Sequence, residues 1–171
     1  KTITYAQSNK ERNVFFVNEG GKLINQASEL GADLNSNSRS AAYLDIDNDG
    51  DLDIIINNYH EKAVLLKNNS VKTNNYIKIK LIGNPSFNVN RDAIGSSLVL
   101  QSTHHKNIWR EIHSTSGYLS GHPKEQHFGL GNDEKVTVEV RWNNGERFTI
   151  KSLEANKRYT ISYPDIVKVI N

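Results

Sequence analysis

Strict alternation of apolar and polar residues dominates the second half of the chain. Val136, Val138, Val140 and Trp142 fall on one side of an extended backbone, and Thr137, Glu139 and Arg141 fall on the other. Successive side chains of a strand point to opposite faces, so this spacing predicts a strand with one buried face. Asn143-Asn144-Gly145 follows at once, and Asn-Gly supplies the positive φ angles of a tight hairpin turn. Phe148 and Ile150 begin the return strand. Ile77, Ile79 and Leu81 alternate with Lys78 and Lys80, and Tyr159, Ile161 and Tyr163 repeat the pattern. Leu98, Leu100, Trp109 and Ile112 fall in two further expected strands. About seven short strands separated by turn signals predict a sandwich or small barrel.

The first half carries shorter runs of the same kind. Strands are expected near Val14–Val17, Lys22–Asn25, Ala41–Leu44, Leu52–Ile56 and Ala63–Leu66. The one helix-like patch, Gln26–Leu30, is too short to stand alone. Asn13-Val14-Phe15-Phe16-Val17-Asn18 is echoed by Ala63-Val64-Leu65-Leu66-Lys67-Asn68 at an offset of 50 residues. Periods of roughly 40–50 residues are typical of propeller blades. The echo ends before Asn74-Asn75, which sets the expected division into residues 1–74 and 75–171.

Charge singles out one loop. Residues 1–74 hold 8 Lys+Arg and 10 Asp+Glu, and five of those acids lie between Asp45 and Asp53. In Asp45-Ile46-Asp47-Asn48-Asp49-Gly50-Asp51-Leu52-Asp53, carboxylates occupy positions 1, 3, 5 and 9, with glycine at position 6. Calcium takes six to eight oxygen ligands, at roughly 2.3–2.6 Å. Alternating aspartates on a tightly turned loop can aim several oxygens at one centre, and Gly50 permits the reversal. Asp45, Asp47 and Asp49 are the expected side-chain ligands, and Asp53 closes the shell. Asp51 would offer its backbone carbonyl, with its side chain facing solvent. Magnesium keeps more water and needs fewer protein ligands, so calcium fits better. The loop is not an EF-hand, because position 12 is Ile56 and the flanks read as strands.

This loop, its strand flanks and the following Asn57-Asn58 and Ala63 to Asn69 resemble an FG-GAP/VCBS repeat over roughly residues 10–70. The resemblance implies four-stranded propeller blades with calcium between the first two strands. One blade and part of another cannot close a ring, so it also implies further blades N-terminal to Lys1. A second resemblance covers roughly residues 75–162. Arg91-Asp92-Ala93-Ile94-Gly95, Ser116-Gly117-Tyr118-Leu119-Ser120, His127-Phe128-Gly129-Leu130-Gly131 and Val138 to Gly145 follow the order of an ASPIC/UnbV domain. Gly121 and Asn143 stand where that family often has Gln and Pro. The family implies an extracellular, calcium-linked binding or matrix module without catalysis.

The remaining features narrow the function. There is no Cys, hence no disulfide or thiolate site. A formal charge of +2 without a basic stripe argues against nucleic acid, and no run of 18 apolar residues suggests membrane insertion. The absence of Met and the start at Lys1 suggest a processed product or fragment. His104-His105, expected at a solvated hairpin tip, and His113, His122 and His127 are assigned no metal; His127 is expected to pack, within a His127-Phe128-Gly129-Leu130-Gly131 turn. Ser116 to Pro123 could stack a sugar, but a turn with Tyr118 and Leu119 tucked into the sandwich is favoured. No nucleophile elbow or phosphate loop occurs.

The expected fold is all-β, a partial β-propeller with a calcium loop followed by a β-sandwich. The expected function is non-catalytic recognition or adhesion of an extracellular protein or glycan, in a secreted, cell-surface or periplasmic setting. The alternative is a glycan-binding accessory domain of a secreted or surface-attached enzyme or uptake system.

Overall fold

The computed structural model describes residues 10–71, 73–102 and 107–170. The first part contains β1 (Glu11–Arg12), β2 (Phe16–Glu19), β3 (Lys22–Asn25), β4 (Asn35–Ser36), β5 (Ser38–Leu44), β6 (Asp53–Asn58) and β7 (Val64–Leu66). The second contains β8 (Asn75–Ile82), β9 (Ser97–Gln101), β10 (Ile108–Glu111), β11 (Gln126–Gly131), β12 (Lys135–Arg141), β13 (Arg147–Glu154), β14 (Lys157–Ser162) and β15 (Ile166–Ile170). A single 3-10 turn, Pro85–Phe87, is the one helical element among the described residues. The all-β expectation holds.

Two four-stranded sheets build the second part, in the orders β10-β9-β12-β13 and β11-β8-β14-β15. Neighbouring strands are antiparallel except β8 and β14, which run parallel. The alternating residues do what their spacing predicts. Ile77, Ile79, Leu98, Leu100, Val138, Val140 and Ile161 are fully buried, in one cluster with Phe128, Leu130, Trp142 and Tyr159. Burying each such side chain contributes about 1.5–3 kcal/mol, so this cluster is the main source of stability.

Three local expectations change. His127-Phe128-Gly129-Leu130-Gly131 reads as a turn but lies in β11. Its two apolar residues alternate across glycine, which hides the period-2 pattern. β15 was not anticipated, because its valines and isoleucines are largely exposed and border no glycine. The β12–β13 hairpin uses a three-residue loop in which the Trp142 N–H donates to the Glu146 carbonyl at 2.8 Å. Of its loop residues only Gly145 has positive φ, at 95°, as a type I turn closed by a left-handed glycine requires.

The first part is thinner. β5, β6 and β7 form a three-stranded antiparallel sheet, and β2–β3 and β1–β4 are two-stranded ladders. Among the described residues, no four-stranded blade assembles here. Among the described residues of this part only Ala27, Ala32 and Ile56 are buried and apolar, whereas Phe16, Leu23, Leu30, Tyr59 and Leu65 are exposed. Register still fixes the important hairpin. Leu44 pairs with Asp53, so the acidic stretch is the β5–β6 loop.

Candidate metal loop and its seam with the sandwich

The loop is organised by its own carboxylates. Asp45 accepts the Asp49 and Gly50 N–H groups, each at 3.0 Å, on its two oxygens. Asp49 accepts the Asp51 N–H at 3.2 Å. Asn48 and Gly50 both adopt positive φ, at 59° and 99°, a region where glycine carries no Cβ penalty. Carboxylate oxygens of Asp45, Asp47 and Asp49 lie within 4.8 Å of one another. These three expected ligands are therefore brought together.

Asp53 takes a different position. It is fully buried, and its two oxygens accept the Ile46 N–H at 3.0 Å and the Asn68 N–H at 2.8 Å. It ties the base of the loop to the chain after β7 and lies outside the three-aspartate group. Asp51 also departs from expectation. Its carboxylate oxygens are shielded from solvent, because the loop leans on the sandwich and Asp51 lines the cleft between them, with Asn68, Tyr76 and His127.

Two lysines attend the cluster. Lys67 sits 2.6 Å from Asp47 on the exposed side, and this hydrogen bond holds its ammonium above the ordinary lysine range. Lys78 comes from β8. Its ammonium donates to Asp45 at 2.7 Å and to Asn48 at 3.3 Å, with side chains only 6% and 3% exposed. The alternation in β8 placed Lys78 on a solvated face, but that face is covered by the acidic loop.

The seam continues through His127, whose Nε2 lies 2.8 Å from the Gly50 carbonyl. The Tyr76 ring stacks on the His127 ring at 5.6 Å and fills the space beside Gly50. A Cβ on Gly50 would lie 2.1 Å from that ring. His127 thus packs, as expected. Sequence reasoning missed Lys78, Tyr76 and His127 as neighbours of the loop, and no local signal connects them to it.

The donor set is all oxygen and carries three formal negative charges near one point, which fits a hard divalent cation. Asp45, Asp47 and Asp49 would hold such an ion. Its chemistry here would be charge neutralisation and stiffening of the loop.

Other expected features fall elsewhere. His104-His105 lies outside the described residues. His113 is largely exposed, with Nδ1 3.6 Å from Glu111. The Ser116–Ser120 turn is closed by the Ser120 hydroxyl donating to the Ser116 carbonyl at 2.7 Å. Tyr118 and Leu119 are not tucked into the sandwich; they are 72% and 76% exposed. The closed turn and the positive φ of Leu119 project them outward. No helix among the described residues is long and apolar enough to cross a membrane.

Comparison with known proteins agrees with the second part of the chain. Residues 87–168 match a family model described as ASPIC and UnbV. The chain is 33% identical over 128 residues to cartilage acidic protein 1 of Xenopus tropicalis, covering 72% of this chain and 19% of that protein. The mouse protein of the same name is 33% identical over 125 residues, covering 70% and 19%. The human one gives 33% over 125 residues, covering 70% and 18%. The chain spans about a fifth of the length of these curated relatives.

Proposed function

From the ASPIC and UnbV match over residues 87–168, we propose that the chain is part of a non-catalytic extracellular recognition or adhesion module stiffened by calcium. The observation that carries this reading is the convergence of Asp45, Asp47 and Asp49 on a hairpin tip seated against the sandwich. A cation there offsets carboxylate repulsion and fixes the angle between the two parts, which a binding surface spanning both needs. The Asp51 carbonyl would add to the ion's shell, while Asp53 holds the base of the loop through its hydrogen bonds to the Ile46 and Asn68 N–H groups.

The first part, with few buried apolar residues and several exposed ones, suits association with further propeller blades of the same protein. Its resemblance to an FG-GAP/VCBS repeat supports that arrangement. A secreted or cell-surface setting follows from the same reading, with extracellular protein or glycan as partner and neither nucleic acid nor membrane insertion involved.

A non-catalytic role fits the site chemistry. Carboxylates committed to a cation and to backbone N–H groups are poor general bases. The His113–Glu111 pair, 3.6 Å apart, lies on an exposed rim. The test is a panel of glycosidase, esterase and phosphatase substrates offered to the chain with calcium present. All rates should stay at background. Turnover abolished by one substitution outside residues 45–53 would replace this reading with an enzymatic one.

A further inference from the structure

We propose that the chain holds a neutral saccharide in the cleft between β5, β10 and the segment before β11. This rests on the recognition reading and names its ligand class. The cleft is a cavity of about 260 Å³ lined by Tyr43, Trp109, Glu111, His122, Pro123 and Gln126 among others. Its walls come from both parts of the chain.

The aromatic groups are held in place and remain accessible. Tyr43 stacks on His122 with ring centroids 3.8 Å apart and planes 20° from parallel. The Tyr43 backbone N–H donates to His122 Nδ1 at 3.2 Å. That bond assigns the proton of the neutral ring to Nε2, leaving an N–H donor. Trp109 and Tyr43 are 52% and 46% exposed, unusual for large aromatics with sheet neighbours to pack on. Tyr118 projects from the turn whose Ser116 also lines the cleft.

This combination matches the chemistry of a sugar ring. One face of a hexose presents C–H groups that stack on an aromatic plane, and its edge presents hydroxyls. Glu111 offers a carboxylate acceptor, Gln126 an amide with both roles, and His122 a donor. The lining mixes aromatic faces with polar groups, as Thr115 and Ser116 stand beside Tyr43, Trp109 and His122, which suits a ligand that is itself part C–H face and part hydroxyl. Among the described residues the cleft is lined by one arginine, Arg110, and one acid, Glu111, with His113 Nδ1 3.6 Å from that carboxylate. Arg110 is turned toward its own strand, donating to the Trp109 carbonyl at 3.1 Å and lying over the Phe128 ring. The cleft therefore selects a neutral sugar over a sulfated or carboxylated one.

The test is saturation-transfer NMR and calorimetry of the full chain with neutral gluco-, galacto- and manno-oligosaccharides, and a sulfated oligosaccharide as control. At least one neutral sugar should bind with Kd on the order of 0.1–1 mM, and keep that affinity at about 0.5 M salt, where exposed charges are screened. Trp109→Ala and Glu111→Gln should each weaken it by roughly tenfold, one lost stacking or charged hydrogen bond. Glu111→Gln changes no shape, so it decides the matter if Trp109→Ala also lowers the melting temperature. The proposal is overturned if no neutral sugar binds, if both variants bind as the parent does, or if only the sulfated sugar binds and salt releases it. Each of those results removes this cleft as a neutral-sugar site and leaves the recognition reading standing, with another partner or another surface, whereas substrate turnover would sink that broader reading.

Discussion

Lys78→Met removes one charge from the seam while keeping most of the side chain's volume. The ammonium lies 2.7 Å from Asp45, and both side chains are almost completely buried. Removing one partner of such a pair leaves a buried charge uncompensated and costs about 3–5 kcal/mol. For a chain of this size each kcal/mol moves the melting temperature by about 2–4 °C, so a fall of roughly 6–20 °C is expected in chelator. The assay is urea and thermal unfolding by circular dichroism, with Asp45→Asn made alone and in combination. Asparagine removes the charge but keeps one oxygen, enough for only one of the Asp49 and Gly50 N–H groups, so the double variant should recover part of the loss, about 1–2 kcal/mol. Calcium should restore part of the Lys78→Met loss by supplying another cation. Lys67 provides the control: its contact with Asp47 is equally short but solvated, and Lys67→Met should change melting only marginally. A Lys78→Met variant as stable as the parent, or no coupling to Asp45→Asn, would refute the buried-clamp argument.

Gly50→Ala should lose about 2–5 kcal/mol in urea unfolding, because its Cβ meets the Tyr76 ring and its φ is left-handed; a neutral result would mean the loop does not rest on Tyr76. The Tyr163 phenol is held above the usual tyrosine range, first by its hydrogen bond to Glu146 and then by burial. Its proton-bound form is favoured by folding, so that contribution is complete below about pH 10 and is lost as pH rises through the raised value. Absorbance titration at alkaline pH should show Tyr163 ionising late, brought down by Glu146→Gln. Residues 75–171 produced alone should unfold cooperatively and ignore chelator, since the hydrophobic cluster lies wholly within them and Lys78 regains water once the loop is gone; a chain without near-ultraviolet circular dichroism would mean the two parts share one core.

Periodicity made the sandwich legible. Val136 to Trp142 has one buried face, and Ile77, Ile79 and Leu81 share another; a period of two residues is a local signal that finds the core-facing side of each strand. β11 was hidden because glycine stands between Phe128 and Leu130, and turn chemistry is what glycine ordinarily signals. The metal loop was legible for a related reason: Asp45, Asp47 and Asp49 bear on one point through bonds within nine residues. Asp53 and Asp51 were harder, since their surroundings depend on Asn68 and the sandwich. Lys78 illustrates the limit most clearly. Alternation says which residues share a face, but not whether another part of the chain will cover it. Tyr43 and His122, 79 residues apart, meet for reasons that no local pattern records.

Calcium titration by calorimetry, on the chain first stripped with chelator, bears most directly on the loop. One ion per chain should bind and raise the melting temperature, with magnesium competing weakly. Asp47→Asn should weaken that binding while leaving the Asp45 and Asp53 hydrogen bonds and the metal-free stability nearly unchanged. An absence of binding heat and of any melting shift at millimolar calcium would contradict the account, and Lys67 and Lys78 would then be the only cations the acidic hairpin needs.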